Sequence, residues 1–124
     1  MILIIGGAYQ GKLTFAKDAF GLEDSDVYTC DGPELDFSKR CVRSLETFTL
    51  ECAKADVDAV ARLREHRQQW QDTIFICRDI SCGVVPLDST MRKWRNLNGQ
   101  VCSYLAGEAQ RVSRIFCGLE ERLK

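Results

Sequence analysis

The chain has one histidine, no C-x-x-C pair among its seven cysteines, no excess of either charge and no long apolar run. Each absence excludes something. An odd number of cysteines without paired spacing argues against a disulfide framework or a zinc site. Several sit inside apolar patterns, as Cys77 does in Ile74-Phe75-Ile76-Cys77, where a free thiol acts as a small hydrophobe. The expectation is reduced thiols in a cytoplasmic protein. A net charge of −1, with both signs interspersed, leaves no broad basic face for nucleic acid. The basic stretch from Arg62 to Arg67 is interrupted by Glu65 and reads as a solvated helix face. Nothing approaches the roughly 18 apolar residues of a membrane span. The first apolar run lacks a preceding basic region and stops at Gly6, so it does not read as a signal peptide. Without repeats, low-complexity segments or a linker, the 124 residues are expected to form one domain, residues 1–124.

What is present begins at the front. The run Ile2-Leu3-Ile4-Ile5 reads as a buried strand, and Gly6-Gly7-Ala8-Tyr9-Gln10-Gly11-Lys12 follows it directly. Strand, G-x-x-x-x-G-K and helix together make a phosphate-binding P-loop. Its glycines let backbone N–H groups converge on phosphate oxygens, and the first helical turn adds unpaired N–H groups and a positive dipole end. Lys12 supplies a charge for the outer phosphates. The candidate nucleotide-binding residues are therefore Gly6, Gly7, Ala8, Tyr9, Gln10, Gly11, Lys12 and Leu13. Leu13 stands where a P-loop carries the Ser or Thr hydroxyl that binds Mg²⁺. Thr14 is one residue on, turned by roughly 100° around a helix. The backbone cradle survives this change, while Mg²⁺, the implied cofactor, loses a ligand.

Behind the loop, Leu13, Ala16, Ala19 and Phe20 mark one face of a short helix ending at Gly21. A second strand is expected over residues 26–30, closed by Asp31-Gly32-Pro33. Residues 38–70 show helical spacing through Val42, Leu45, Phe48, Cys52, Val57, Val60 and Leu63, and Thr47-Phe48-Thr49 invites a break into two helices. Residues 73–77 read as a buried strand. Asp88, Ser89 or Thr90 would cap a helix whose buried face carries Met91, Trp94, Leu97, Val101 and Leu105. A last strand runs over residues 112–117, stops at Gly118 and leaves a charged, frayed tail. Alternating strands and helices imply an α/β fold with a small, mostly parallel sheet, whose ligands gather at the carboxyl ends of strands. The Gly6 loop and the polar pair Arg78-Asp79 then share one edge.

These residues resemble a known family. The opening with Gly11-Lys12, and Arg78-Asp79-Ile80-Ser81-Cys82-Gly83-Val84-Val85-Pro86 set against N-E-V-G-x-G-I-V-P, are similar to the adenosylcobinamide kinase/adenosylcobinamide-phosphate guanylyltransferase family. Arg92, Trp94-Arg95, Gly99, Val101, Leu105-Ala106, Ala109, Val112 and Gly118 continue the match without a gap, so about half the chain is covered. The resemblance implies a three-layer, RecA-like P-loop fold and homo-oligomeric, trimeric assembly. It implies phosphorylation of a corrinoid hydroxyl by ATP or GTP, then GMP transfer through a guanylylated histidine. Lys12 and Asp79 would be catalytic, Asp79 orienting Mg²⁺ or a water. His66, within Ala61-Arg62-Leu63-Arg64-Glu65-His66-Arg67, resembles the family's histidine segment and would be the nucleophile, although no Arg-Pro follows it. The chain is shorter than the family, and no counterpart is found for its apolar strand with an acidic residue. Three readings stay open: a nucleotide-dependent transferase, a nucleotide-binding module without the chemistry, and a scaffold used in assembly.

Overall fold

A computed structural model describes residues 1–80 and 88–124 of the chain. The four apolar residues ahead of Gly6 form strand β1 (Ile2–Gly6), which lies inside the sheet with a parallel partner on each side. Strands covered on both faces need a continuous apolar run, and this is one. The described residues form a six-stranded sheet in the order β2-β3-β4-β1-β5-β6. Its other members are β2 (Val27–Thr29), β3 (Cys41–Arg43), β4 (Ile74–Arg78), β5 (Arg111–Phe116) and β6 (Leu119–Arg122). All pair in parallel except β6, which folds back antiparallel on β5.

Period-two alternation sorts the strand side chains into two cores. Ile4, Cys41, Ile74, Ile76 and Ile115 face helix α1 (Lys12–Phe20) through Ala16. Leu3, Val42, Phe75, Cys77 and Val112 face the other way, onto α2 (Leu45–Ala55), α3 (Ala59–Glu65) and α4 (Ser89–Glu108). Among the described residues the result is three layers: one α-helix, the sheet, and three α-helices. The second core closes around Trp70, 1% exposed, whose indole N–H donates to the Leu63 carbonyl at 2.7 Å and whose ring meets Phe75 and Tyr104 edge-on.

Three expectations are corrected. The helical reading of residues 38–70 hid β3, because Val42 lies three residues before Leu45 and so continues the helix's own spacing backwards. Thr47-Phe48-Thr49 does not break that helix. Thr49 is buried, donates to Asn98 Oδ1 at 2.8 Å and receives the Trp94 indole N–H at 3.0 Å, so packing overrides the weak propensity. The break falls later, where Asp56 turns left-handed (φ 56°) and Asp58 caps α3 by accepting from the Ala61 N–H at 3.1 Å. The tail expected to fray is instead largely β6, joined to β5 by Cys117 and Gly118, both left-handed as a two-residue primed turn requires. Its Glu120 accepts from Ser113 Oγ at 2.8 Å and pairs with Arg111. A charged edge strand of this kind also resists edge-to-edge association.

Candidate functional site

β1 delivers the chain to the carboxyl edge of the sheet, and the loop turns there. Gly6 is buried against β5; a Cβ at this position would lie 2.6 Å from the Ile115 carbonyl oxygen, so only glycine fits. Gly11 has φ 87°, which sets the start of α1, and the first bond reaching back along the helix runs from Phe15 N–H to the Gly11 carbonyl at 2.9 Å. The earlier N–H groups of this turn have no intrahelical acceptor by geometry, and they form the positive end of the dipole.

The loop is fixed from outside as well. Gln10 accepts the Gly118 N–H at its carbonyl (2.9 Å) and the Cys117 N–H at its side-chain oxygen (2.6 Å). On the other flank, the Asp79 N–H donates to the Gly6 carbonyl at 2.8 Å. Lys12 folds back across Gly6, its ammonium donating to the Gly7 carbonyl at 2.6 Å. Tyr9, left-handed at φ 59°, stands fully in solvent at the tip.

A cleft of about 320 Å³ lies against this loop, lined by Ala8 to Thr14 and by Arg43, Ser44, Glu46, Ile76 and Arg78. The sheet phase explains the lining. Cys41, Ile74 and Ile76 face α1, so Arg43 and Arg78, two residues beyond Cys41 and Ile76, end their strands on the same face. Burial lowers the Lys12 pKa from its ordinary 10.5, against the opposing pull of Glu46; Arg78 and Arg43 lower it further. Glu46 accepts the Arg78 backbone N–H at 2.9 Å. Among the described residues, Lys12, Arg43 and Arg78 take part in no ion pair.

Two other expected site residues sit elsewhere. Asp79 begins beside the loop, but the phase that sends Arg78 to the cleft sends Asp79 to the opposite side, where it lines a small cavity with Ile5, Arg95, Asn98 and Cys102. His66 caps the end of α3, exposed, with its ring 6.1 Å from Phe37. Its neighbour Arg67 pairs with Glu108 at the end of α4 (2.7 Å), and the Met1 ammonium donates to the Gln71 carbonyl at 2.6 Å. That is the amino end of the sheet. The length of β1, roughly 13 Å at about 3.3 Å per residue, separates it from the loop. Residues 81–87, which carry most of the Arg78 to Pro86 resemblance, lie outside the described residues.

The model of the family described as cobinamide kinase / cobinamide phosphate guanyltransferase matches residues 41–123. The chain belongs to this family. The cobinamide kinase / cobinamide phosphate guanyltransferase family has a P-loop NTPase fold, in agreement with the mostly parallel sheet and its leading loop. The match starts at the first residue of β3, so it includes Arg43, Glu46 and Arg78, while the Gly6 loop precedes it. It also runs through the stretch where sequence reading found no strand, and β3 is the strand there. No individual curated protein matches the chain. Among the described residues, no three His, Cys, Asp or Glu side chains come together as metal ligands, and no helix is long and apolar enough to cross a membrane.

Sequence reasoning missed Arg43 and Glu46. The signal for Arg43 was the alternation of three residues, too short to stand against the helical spacing beyond it. Glu46 sits in the first turn of α2, where an acidic residue needs no further reason.

Proposed function

We propose that the Gly6 to Leu13 loop binds the triphosphate of ATP or GTP, making this chain a nucleotide-binding member of its family. The observation that carries the reading is the convergence of a glycine-built anion nest with three cations, Lys12, Arg43 and Arg78, on one cleft at the carboxyl edge of the sheet. Family membership supports nucleotide and corrinoid as the substrate classes. Guanylyl transfer through His66 is not part of the proposal. An imidazole attacks an α-phosphate only when held beside it, and His66 belongs to the opposite end of the sheet.

Isothermal titration with ATP and GTP tests the binding. The wild-type protein is expected to bind at least one of them, and Lys12→Ala to lose it. A flat titration by folded wild-type protein overturns the reading. In parallel, GTP labelled at the α-phosphate is expected to leave no covalent label; a label lost in His66→Ala would restore the histidine mechanism.

Glu46 favours a second reading, phosphoryl transfer to a corrinoid hydroxyl. Its carboxylate lines the same cleft as Lys12 and could accept the hydroxyl proton as the alcohol oxygen bonds to the γ-phosphorus and the nucleoside diphosphate leaves. Transfer of γ-label from ATP to cobinamide, abolished in Glu46→Gln, is its signature. Asp79 would then act by holding the loop at Gly6 through its backbone N–H.

A further inference from the structure

P-loop NTPases hold Mg²⁺ through the hydroxyl after the lysine and through an Asp carboxylate. The residues present here do not suit that ion. Leu13 replaces the hydroxyl and packs on the apolar cluster of Ile4, Ala16 and Ile115. Of the other hydroxyls in the lining, Thr14 stands exposed on the outer rim, where it also lines the groove of Phe15 and Asp18. Ser44 belongs to the junction of β3 and α2 rather than to the loop. The strand ends that reach the cleft from β3 and β4 carry guanidinium groups. Glu46 is the one carboxylate among the described residues of the lining, and one of its oxygens already holds the Arg78 N–H. Among the described residues three cations face one anion, so a divalent metal would enter a region that is already positive.

We propose that this cleft takes its polyphosphate without Mg²⁺, with Arg43 and Arg78 neutralising the charge that the metal neutralises elsewhere. The inference rests on the nucleotide-binding reading. Guanidinium groups suit the task, because each presents a planar fork that binds two phosphate oxygens and stays charged at any accessible pH. Neither arginine has an ion-pair partner among the described residues, so neither must give one up to take a phosphate.

Titrations of the full chain with ATP and with inorganic tripolyphosphate, each in EDTA and in excess Mg²⁺, test it. Affinity in EDTA is expected to equal or exceed that in Mg²⁺ for both probes. Arg43→Ala is expected to lose about ten- to a hundredfold in EDTA, the worth of a charge-assisted contact. Arg43→Lys keeps the charge and guards against a damaged strand; it is expected to retain more affinity than Arg43→Ala. Binding that requires Mg²⁺ overturns the inference and leaves the nucleotide reading standing. Binding in neither condition overturns that reading itself. Undiminished affinity in both Arg43→Ala and Arg78→Ala also overturns the inference.

Discussion

The two ends of the sheet are built on opposite principles. At the amino end charges are matched and rings are packed: Arg67 pairs with Glu108, the Met1 ammonium is satisfied by the Gln71 carbonyl, and Trp70 fills the core beside Phe75 and Tyr104. At the carboxyl end Lys12, Arg43 and Arg78 line an open cleft with one carboxylate, Glu46, among its described residues. The first end stabilises the protein. The second leaves electrostatic attraction unused, and a ligand of opposite sign can exploit it. Polar residues alone therefore do not mark a site; cations with no ion-pair partner among the described residues, beside unpaired backbone donors, do.

The largest expected effect breaks the packed end. Trp70→Ala should cost about 3–5 kcal/mol of unfolding free energy, read by urea denaturation, against a typical total of about 5–15 kcal/mol. Nucleotide affinity measured well below the new transition should not change. Gly6→Ala strikes at the junction of the two regions. Its methyl would press on the Ile115 carbonyl, so a loss of about 1–3 kcal/mol is expected together with loss of nucleotide binding.

A pH titration sharpens the contrast further. Binding needs the charged form of Lys12, and burial has moved its pKa below the ordinary 10.5. Affinity should accordingly begin to fall at a lower pH than an ordinary lysine would give, by at most about tenfold per pH unit, and Lys12→Arg should flatten the profile. The smallest effect is expected at the exposed histidine. His66→Ala should shift stability by no more than about 0.5 kcal/mol and leave ATP affinity untouched. A large change in affinity would mean that the two ends communicate.

The parts legible in the sequence were those whose local pattern and tertiary role agree. β1 and its loop could be read because a doubly covered strand must be continuously apolar and because glycines at Gly6 and Gly11 answer to a close approach and a left-handed turn. The α4 face could be read through Val101 and Leu105, both fully buried. β3 could not, since a three-residue strand carries one and a half periods and Val42 falls in phase with the helix that follows. The cost was Arg43, because a strand's phase decides which side of the sheet its last residue serves. Arg78 and Asp79 show the same limit: adjacent in sequence, they serve opposite faces.

The clasp between Gln10 and the Cys117–Gly118 turn spans 107 positions along the chain. On the ribosome, the proposed pocket therefore lacks this outer fastening when its own residues emerge. That fastening waits for β5 and its return strand, so on the nucleotide-binding reading proposed above capture would come late in the life of the nascent polypeptide and would report that the sheet has closed.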